Sequence, residues 1–465
     1  MKFLASHRWA APLGVFALLI GWITLSAANS QALGFSLLVY GVANLIVYLD
    51  ALDMLLRLYV RRRNTATAAG NESNKDVSID LTSTLPAETW RIVPIRPYAI
   101  VASVFNLEEG LEEFMNAYER YRDRIWLISD ASTDETVKRL RQAGWRCIDE
   151  GINRRKPGAL HRLIQRLPSH IETVIVIDPD IRIRSVGDGS SIDLERAIGD
   201  FQASGAAAMC PRIMIEPDGF LARFQAFEYA LAFRVGRESL ADFSITSGVS
   251  FYRRDALQHA LEQHSHSVYA EDLENAVILL ARGERIYYDG RIVMSTEGPG
   301  SVRRWFSQRV GWYHGLIKVY AERINEIWRI SKRSPFAFYH FIVYMAGLSI
   351  ALHLVKMVSA CLLLISFASG LSTLFLTGGF SHGAITNPTY FTAAVGSYLA
   401  LGVVALFVIV PRAERSYIAP IVPLYLFYAI GHIVPMSVGF ANWLALKIVG
   451  RRVYRDHYET QEAAV

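Results

Sequence analysis

The stretch Glu172-Thr-Val-Ile-Val-Ile-Asp-Pro-Asp180 decides how this chain is read. A short run of β-branched residues bounded by turn formers reads as a buried strand. It ends in two carboxylates two positions apart, Asp178 and Asp180. In open α/β sheets, ligands bind outside the carboxyl ends of the strands. Carboxylates placed there can hold a divalent cation that grips a diphosphate. Taken alone, the pair fits a tight turn or a phosphatase nucleophile and acid nearly as well, so its surroundings carry the decision.

Towards the N-terminus, strand-like and helical stretches alternate. Tyr98 to Phe105 reads as a strand, followed by Asn106-Leu-Glu-Glu109 and a helical Leu111 to Arg122. Ile125 to Ser129 is a second strand, leading through Asp130-Ala-Ser-Thr-Asp134 into a helical Glu135 to Ala143. Trp145 to Ile148 predicts a third strand, Leu160 to Leu167 a helix, and Thr173 to Ile177 the fourth strand. This alternation implies an α/β domain with a doubly wound, mainly parallel sheet. Asn106, Asp130 and the Asp178/Asp180 pair then converge at the strand carboxyl ends, although Asp130 to Asp134 alone also fits a helix N-cap.

The pattern loosens after Asp180. Ala206 to Ile215 reads as a strand and Phe220 to Phe233 as an aromatic-rich core helix. Thr246-Ser-Gly-Val249 leads into Ser250-Phe-Tyr-Arg-Arg254, and Ala270-Glu-Asp-Leu-Glu274 opens a helix. Ile286 to Tyr288 and Ile292 to Met294 predict two short strands. Ser301 to Arg329 is amphipathic and reads as a helix in a membrane interface, with an ordinary core-facing helix as the alternative.

The chain has 465 residues and is 52% hydrophobic. Charge-free stretches run from Trp9 to Asn29, Gln31 to Leu49, Pro335 to Val355, Met357 to Pro411 and Ser416 to Leu446. Each can cross a bilayer core, which takes about 20 helical residues. The expected organisation is two N-terminal crossings (1–60), a linker (61–96, most polar from Thr65 to Thr84), a soluble domain (97–300), an amphipathic region (301–334), three or four further crossings (335–446) and a basic tail (447–465). A signal peptide competes for the first apolar segment. Arg57, Arg61, Arg62 and Arg63 on one side, with Arg329, Lys332 and Arg333 on the other, put the soluble domain in the cytosol by the positive-inside tendency. Lys447, Arg451, Arg452 and Arg455 argue for a cytosolic C-terminus as well. The expected location is the cell (inner) membrane, multi-pass. Cys147, Cys210 and Cys361 are too far apart to form a metal or disulfide pattern. His264 and His266 lack a third ligand at suitable spacing.

The ordered clusters resemble the membrane-integrated family 2 glycosyltransferases, which include cellulose, chitin, hyaluronan and poly-N-acetylglucosamine synthases. Val104-Phe-Asn-Leu-Glu-Glu109 is similar to the opening strand and its N-x-E turn, which implies donor contacts at Asn106 and Glu108. Asp130 matches the aspartate that contacts the uracil end of the nucleotide. Asp178-Pro-Asp180 matches the D-x-D that reaches diphosphate and metal. Glu271-Asp272 matches the E-D pair whose aspartate is the catalytic base. Gln308-Arg-Val-Gly-Trp312 resembles Q-x-x-R-W, with Gly311 where the family has arginine, so Arg309, Arg303 or Arg304 would substitute. Lys156-Pro-Gly-Ala-Leu160 resembles K-x-x-A-x-N, with His161 where asparagine is expected. The resemblance implies a GT-A-like domain flanked by transmembrane helices.

Transfer chemistry needs the residue types that these clusters supply. A divalent cation (Mg2+ or Mn2+) held by Asp180 and Asp178 would balance a diphosphate leaving group, with Lys156 and Arg309 adding positive charge. One carboxylate, Asp272, suffices as general base for an acceptor hydroxyl, oriented by Glu271. A single base with direct displacement inverts the anomeric carbon, whereas a covalent retaining route needs a second carboxylate as nucleophile. Gly248, Gln308 and Trp312 fall to the acceptor side, Trp312 stacking on a sugar ring or anchoring at the interface. The expected partners are a nucleotide-sugar donor (UDP-linked), a glycan or lipid-linked acceptor and the bilayer, with no nucleic acid. The competing readings are single transfer to a lipid-linked acceptor, an aspartyl phosphatase, and a non-catalytic nucleotide-binding membrane scaffold.

Overall fold

The computed structural model describes residues 41–71, 95–184, 192–377 and 389–455. The expected first crossing, most of the second, residues 72–94 of the linker and the end of the tail lie outside the described residues. The chain divides into two units, one formed by residues through Tyr59 with Val343–Ser437, the other by Val60–Ile342 with the residues from Val438 onward. Helix α1 (Leu45–Asn71) continues through Thr65 to Asn71, where the polar composition predicts the start of a linker. Ala66, Ala68 and Ala69 favour the helix as strongly as the glycine and asparagine after them oppose it.

The second unit holds an eight-stranded sheet in the order β3-β2-β1-β4-β7-β6-β8-β5. Its first half comprises β1 (Tyr98–Val104), β2 (Ile125–Asp130), β3 (Cys147–Glu150) and β4 (Thr173–Val176), all parallel. Helices α2 (Leu111–Tyr118), α3 (Thr136–Gln142) and α4 (Arg155–Arg166) make the crossovers. Strand β4 is buried at every position, as expected of a parallel strand covered on both faces. Strand β3 starts at Cys147, two residues later than its apolar pattern predicts, because Trp145 turns into the core beside Phe114 instead of pairing.

The other half is mixed. It comprises β5 (Arg182–Arg184), β6 (Ala208–Ile215), β7 (Ser250–Arg253) and β8 (Ile286–Thr296), with α5 (Leu194–Ser204) between β5 and β6. Strand β7 runs antiparallel to both β4 and β6, and β5 antiparallel to β8. The two short strands expected at Ile286 and Ile292 are one strand whose register against β6 shifts between Pro211 and Arg212. The shift absorbs the polar Asp289-Gly290-Arg291 interruption as a bulge. The core between sheet and helices includes Ile100, Leu127, Ile175, Met209, Phe251, Met294, Phe114 and Tyr118.

Helix α6 (Gly219–Leu231) ends in a π-helical turn, Ala232–Arg237. Helices α7 (Arg254–Gln263) and α8 (Glu271–Ala281) follow β7. The amphipathic region is two helices, α9 (Val302–Glu322) and α10 (Ile324–Ser331), broken at Arg323. Ser301 caps α9 by accepting from the Arg304 amide. The Arg323 guanidinium reaches Glu274 at 2.7 Å, and its backbone leaves helical geometry at that point.

Among the described residues, three helical stretches that begin in the first unit are long and apolar enough to cross a membrane: His353–Ser372, Phe391–Val408 and Arg412–Val449, the last extending into the second unit. The apolar stretch Pro335–Ala351 is shorter. Asp53 is paired with Arg57 at 2.8 Å, and Tyr398 bonds Asp50, so these polar groups among apolar helices are satisfied within the bundle.

Candidate active site

The parallel half delivers its polar residues by the simplest route, each from the end of its own strand. The β1 chain turns at Asn106 with φ 50°, and the β2 chain turns at Ala131 with φ 62°. Arg155 and Ala270 also adopt left-handed backbone, with φ 62° and 50°. Such φ values cost a non-glycine residue about 1–2 kcal/mol, and they cluster where a chain is bent to present side chains.

Asp130 is buried and accepts the Arg154 amide at 2.6 Å. Burial raises its pKa, partly offset by the amides of Arg154 and Arg155. The Asn106 amide oxygen accepts the Thr133 amide at 2.8 Å, and the Asn106 amide donates to Ser132 at 3.1 Å. The Glu108 amide bonds Asp134 at 3.1 Å. Asn106 and Glu108 therefore lock the β1 and β2 turns together beside Asp130.

After β4, the Ile181 amide bonds the Asp178 carbonyl at 3.0 Å, closing a turn with Pro179 at its second position, where proline's fixed φ fits. The Tyr118 hydroxyl donates to the Ile181 carbonyl at 2.9 Å and braces that turn from the core. The Lys156 ammonium lies 2.6 Å from both Asp178 and Glu271. One cation thus joins the carboxylate after β4 to the start of α8. Asp180 is exposed and accepts the Thr296 hydroxyl at 2.7 Å. Because β7 is antiparallel to β4, Gly248 arrives beside Asp178. A β-carbon at Gly248 would collide with the Asp178 carboxylate, so glycine is the residue that fits.

Glu271 and Asp272 open α8. Burial pushes the Glu271 carboxyl up, but Lys156 more than offsets it, leaving it below its ordinary value. Burial and the Glu271 charge raise Asp272 to about 6. Burial, only partly offset by Lys156, raises Asp178 to about 7. The Asp272 carbonyl accepts the Thr246 hydroxyl at 2.7 Å, and Arg237 donates to the carbonyls of Ile245 and Thr246. The π-turn of α6 thereby holds the 245–248 loop against both aspartates.

Helix α9 closes the site from another side. Gln308, Trp312 and Gly315 lie on one face by helical spacing. A β-carbon at Gly315 would come within 2.7 Å of the Ala270 side chain and 2.9 Å of its backbone nitrogen. The α9 backbone therefore rests on the turn that presents Glu271-Asp272. Trp312 is 36% exposed, with the Arg309 guanidinium 4.0 Å over its ring. Arg309 itself is buried and paired with Glu228 at 2.7 Å. His314 stacks on Tyr269 at 4.4 Å, and Arg452 lies 5.2 Å over the same Tyr269 ring.

Thr296, Thr246, Arg237, Glu228 and Gly315 were not singled out by the sequence. Thr296 carried a usable signal: it ends an apolar strand just before Glu297-Gly-Pro-Gly300. His264 is buried beside Glu274 at 3.5 Å. No group of three histidine, cysteine, aspartate or glutamate side chains converges on a metal among the described residues. Asp178 and Asp180 are the hard oxygen donors at the site. That set fits a cation that takes its other ligands from phosphate and water.

Residues 99–261 match the family model Glycosyl transferase family 2. This chain carries a family 2 glycosyltransferase domain. The match spans the parallel half, Asp178-Pro-Asp180 and Gly248, and ends before Glu271-Asp272. Solved structures similar to this chain include a mannosyltransferase from Pyrobaculum calidifontis in complex with GDP-Man and Mn2+. It is 17% identical, with 85% of this chain and 99% of that chain covered and a TM-score of 0.48. Another is glucosyl-3-phosphoglycerate synthase from Mycobacterium tuberculosis in complex with Mn2+, UDP and glucosyl-3-phosphoglycerate. It is 15% identical, with 46% of this chain and 78% of that chain covered and a TM-score of 0.29. No curated protein matches the chain.

Proposed function

We propose that this family 2 domain is an inverting transferase that moves a sugar from a UDP-linked donor to a polysaccharide or oligosaccharide acceptor at the cytosolic membrane face. The observation that carries the reading is the Lys156 ammonium, 2.6 Å from both Asp178 and Glu271. It brings the diphosphate side and the base side of a transfer within one side chain of each other. A phosphatase would use Asp178 and Asp180 but has no task for Glu271-Asp272, and a scaffold has none for an aspartate poised near neutral pH.

Asp130, with the Asn106 and Glu108 turns around it, takes the nucleoside end of the donor. Asp178 and Asp180 would hold the cation, which when bound would supply charge balance for the diphosphate. Lys156 then exchanges one of its carboxylates for a phosphate oxygen. Asp272, raised to about 6, accepts the acceptor hydroxyl proton, as suits a base working near neutral pH. The acceptor oxygen bonds the anomeric carbon while the carbon–diphosphate bond breaks, and the nucleoside diphosphate leaves with the electron pair. An α-linked donor gives a β-glycoside. Trp312, held flat by Arg309, offers a stacking face to the acceptor beside Gln308, and Gly248 keeps the floor open beneath Asp178.

Full-length protein in native membranes, given radiolabelled UDP-sugars one at a time with Mg2+ or Mn2+, tests this reading. Incorporation of one sugar that chelation abolishes is the expected result. Phosphate release from acyl phosphates without any sugar incorporation overturns it. Product size separates a growing polymer from a single addition to a lipid-linked acceptor.

A further inference from the structure

Helix α10 shows two characters. Ile327, Ile330 and Ser331 pack inward, while Ile324 and Trp328, one turn apart, are 47% and 46% exposed. Beside it opens a cavity of ≈ 490 Å³ whose polar lining is His259, Gln263, Arg282, Arg323, Glu326 and Arg329. Helices α7 and α10, with Arg282 at the end of α8 and Arg323 at the start of α10, supply these residues, and none belongs to the donor or base groups. Three guanidiniums face one lining carboxylate. Arg323 is paired with Glu274 at 2.7 Å and Glu326 at 3.6 Å. Arg282 and Arg329 are exposed and make no ion pair among the described residues.

We propose that this cavity binds the phosphate headgroup of an anionic phospholipid, with Ile324 and Trp328 seated in the adjoining lipid. Guanidinium forks match phosphate oxygens in charge and in geometry. A free phosphate would use the same arginines but has no use for the apolar rim. An amphipathic helix with an exposed tryptophan and flanking cations, here Arg323 before α10 and Lys332 and Arg333 after it, lies in an interface and prefers anionic lipid. Lys332, 5.3 Å from the Trp328 ring, adds a further cation at that rim. Only Lys332, Arg333 and Ser334 separate α10 from the apolar stretch that starts at Pro335. The volume falls within the about 300–1,000 Å³ range of small-molecule clefts.

The test is native mass spectrometry of the full-length chain released from phosphatidylcholine nanodiscs doped with phosphatidylglycerol. It reads lipid retention and does not depend on any transfer activity. Wild type is expected to retain phosphatidylglycerol over phosphatidylcholine. Arg282→Gln with Arg329→Gln is expected to weaken retention about thirty-fold, the combined effect of two interfacial cations. Arg120→Gln with Arg141→Gln, exposed arginines elsewhere in the domain, should leave it unchanged. Thermal unfolding of each variant confirms that surface substitutions left the fold intact. The proposal is overturned if the 282/329 variant retains the lipid like wild type, or if the 120/141 variant loses it equally. It is also overturned if inorganic phosphate displaces the lipid completely, which would make this a site for the free anion.

Discussion

The two halves of the sheet reach the same site by different routes. In the parallel half, Asp130 ends its strand and Asn106 and Asp178 closely follow theirs, so strand, turn and candidate residue are contiguous in sequence. In the mixed half, partners arrive through long-range pairing: Thr296 meets Asp180 across 116 positions, and Lys156 meets Glu271 across 115. Parallel βα units write their chemistry locally, whereas antiparallel returns assemble it. The parallel half should therefore tolerate changes in the mixed half as a fold, while transfer should not.

The hardest test of that contrast is the proposed base. Asp272→Asn should lower the turnover rate by about 10²–10⁴ and leave UDP affinity, which the proposal assigns to the parallel half, within a few-fold by calorimetry. An equal loss of UDP binding would dissolve the division between the halves. Next is Gly248→Ala, which pushes the Asp178 carboxylate away from a glycine of the mixed half. Misplacing it should cost about a hundred-fold in rate and raise the Mg2+ or Mn2+ concentration needed for half-maximal activity.

Lys156→Gln addresses the joint itself. In wild type, Asp272 is raised to about 6; as the proposed base it must be ionised, so activity should climb as pH rises through about 6 and fall away below it. Lys156 lowers Asp272 itself, as well as Asp178 and Glu271. Its removal should move the acidic limb of the pH–rate profile upward by about one unit or more. A limb that stays in place would mean that the two carboxylates are not coupled through it. The smallest effect is expected of Thr296→Val, which removes a neutral donor to the Asp180 carboxylate and should cost about tenfold in kcat/KM, recovered by Thr296→Ser.

Legibility in the sequence follows the same divide. The β-branched runs before Asn106, Asp130 and Asp178, with polar turns after them, carried the sheet type and the donor side. Glu271-Asp272 and Gln308 to Trp312 were legible only as an ordered set, because neither follows a recognisable strand. What pattern could not supply was packing. Gly311 removes an arginine at the expected position, and Arg309 two residues earlier looks like its replacement. Yet its guanidinium is buried against Glu228 and over Trp312, a placement that suits orienting the tryptophan. Similarly, Ser301 to Arg329 keeps an amphipathic period throughout, yet the helix breaks at Arg323, whose guanidinium pairs with Glu274. The bulge that fuses two expected strands into β8 depends on its register with β6, which no local window contains.

The left-handed turns at Asn106, Ala131, Arg155 and Ala270 bear on how this protein can change. Each site would relax as glycine, yet the chain keeps side chains there. Selection for heat tolerance should therefore find Ala131→Gly and Ala270→Gly readily, each lifting the melting temperature by a few degrees. Lineages that take that route would trade a stiff catalytic rim for a durable one, and Ala270, wedged under Gly315, is where the exchange should be costliest.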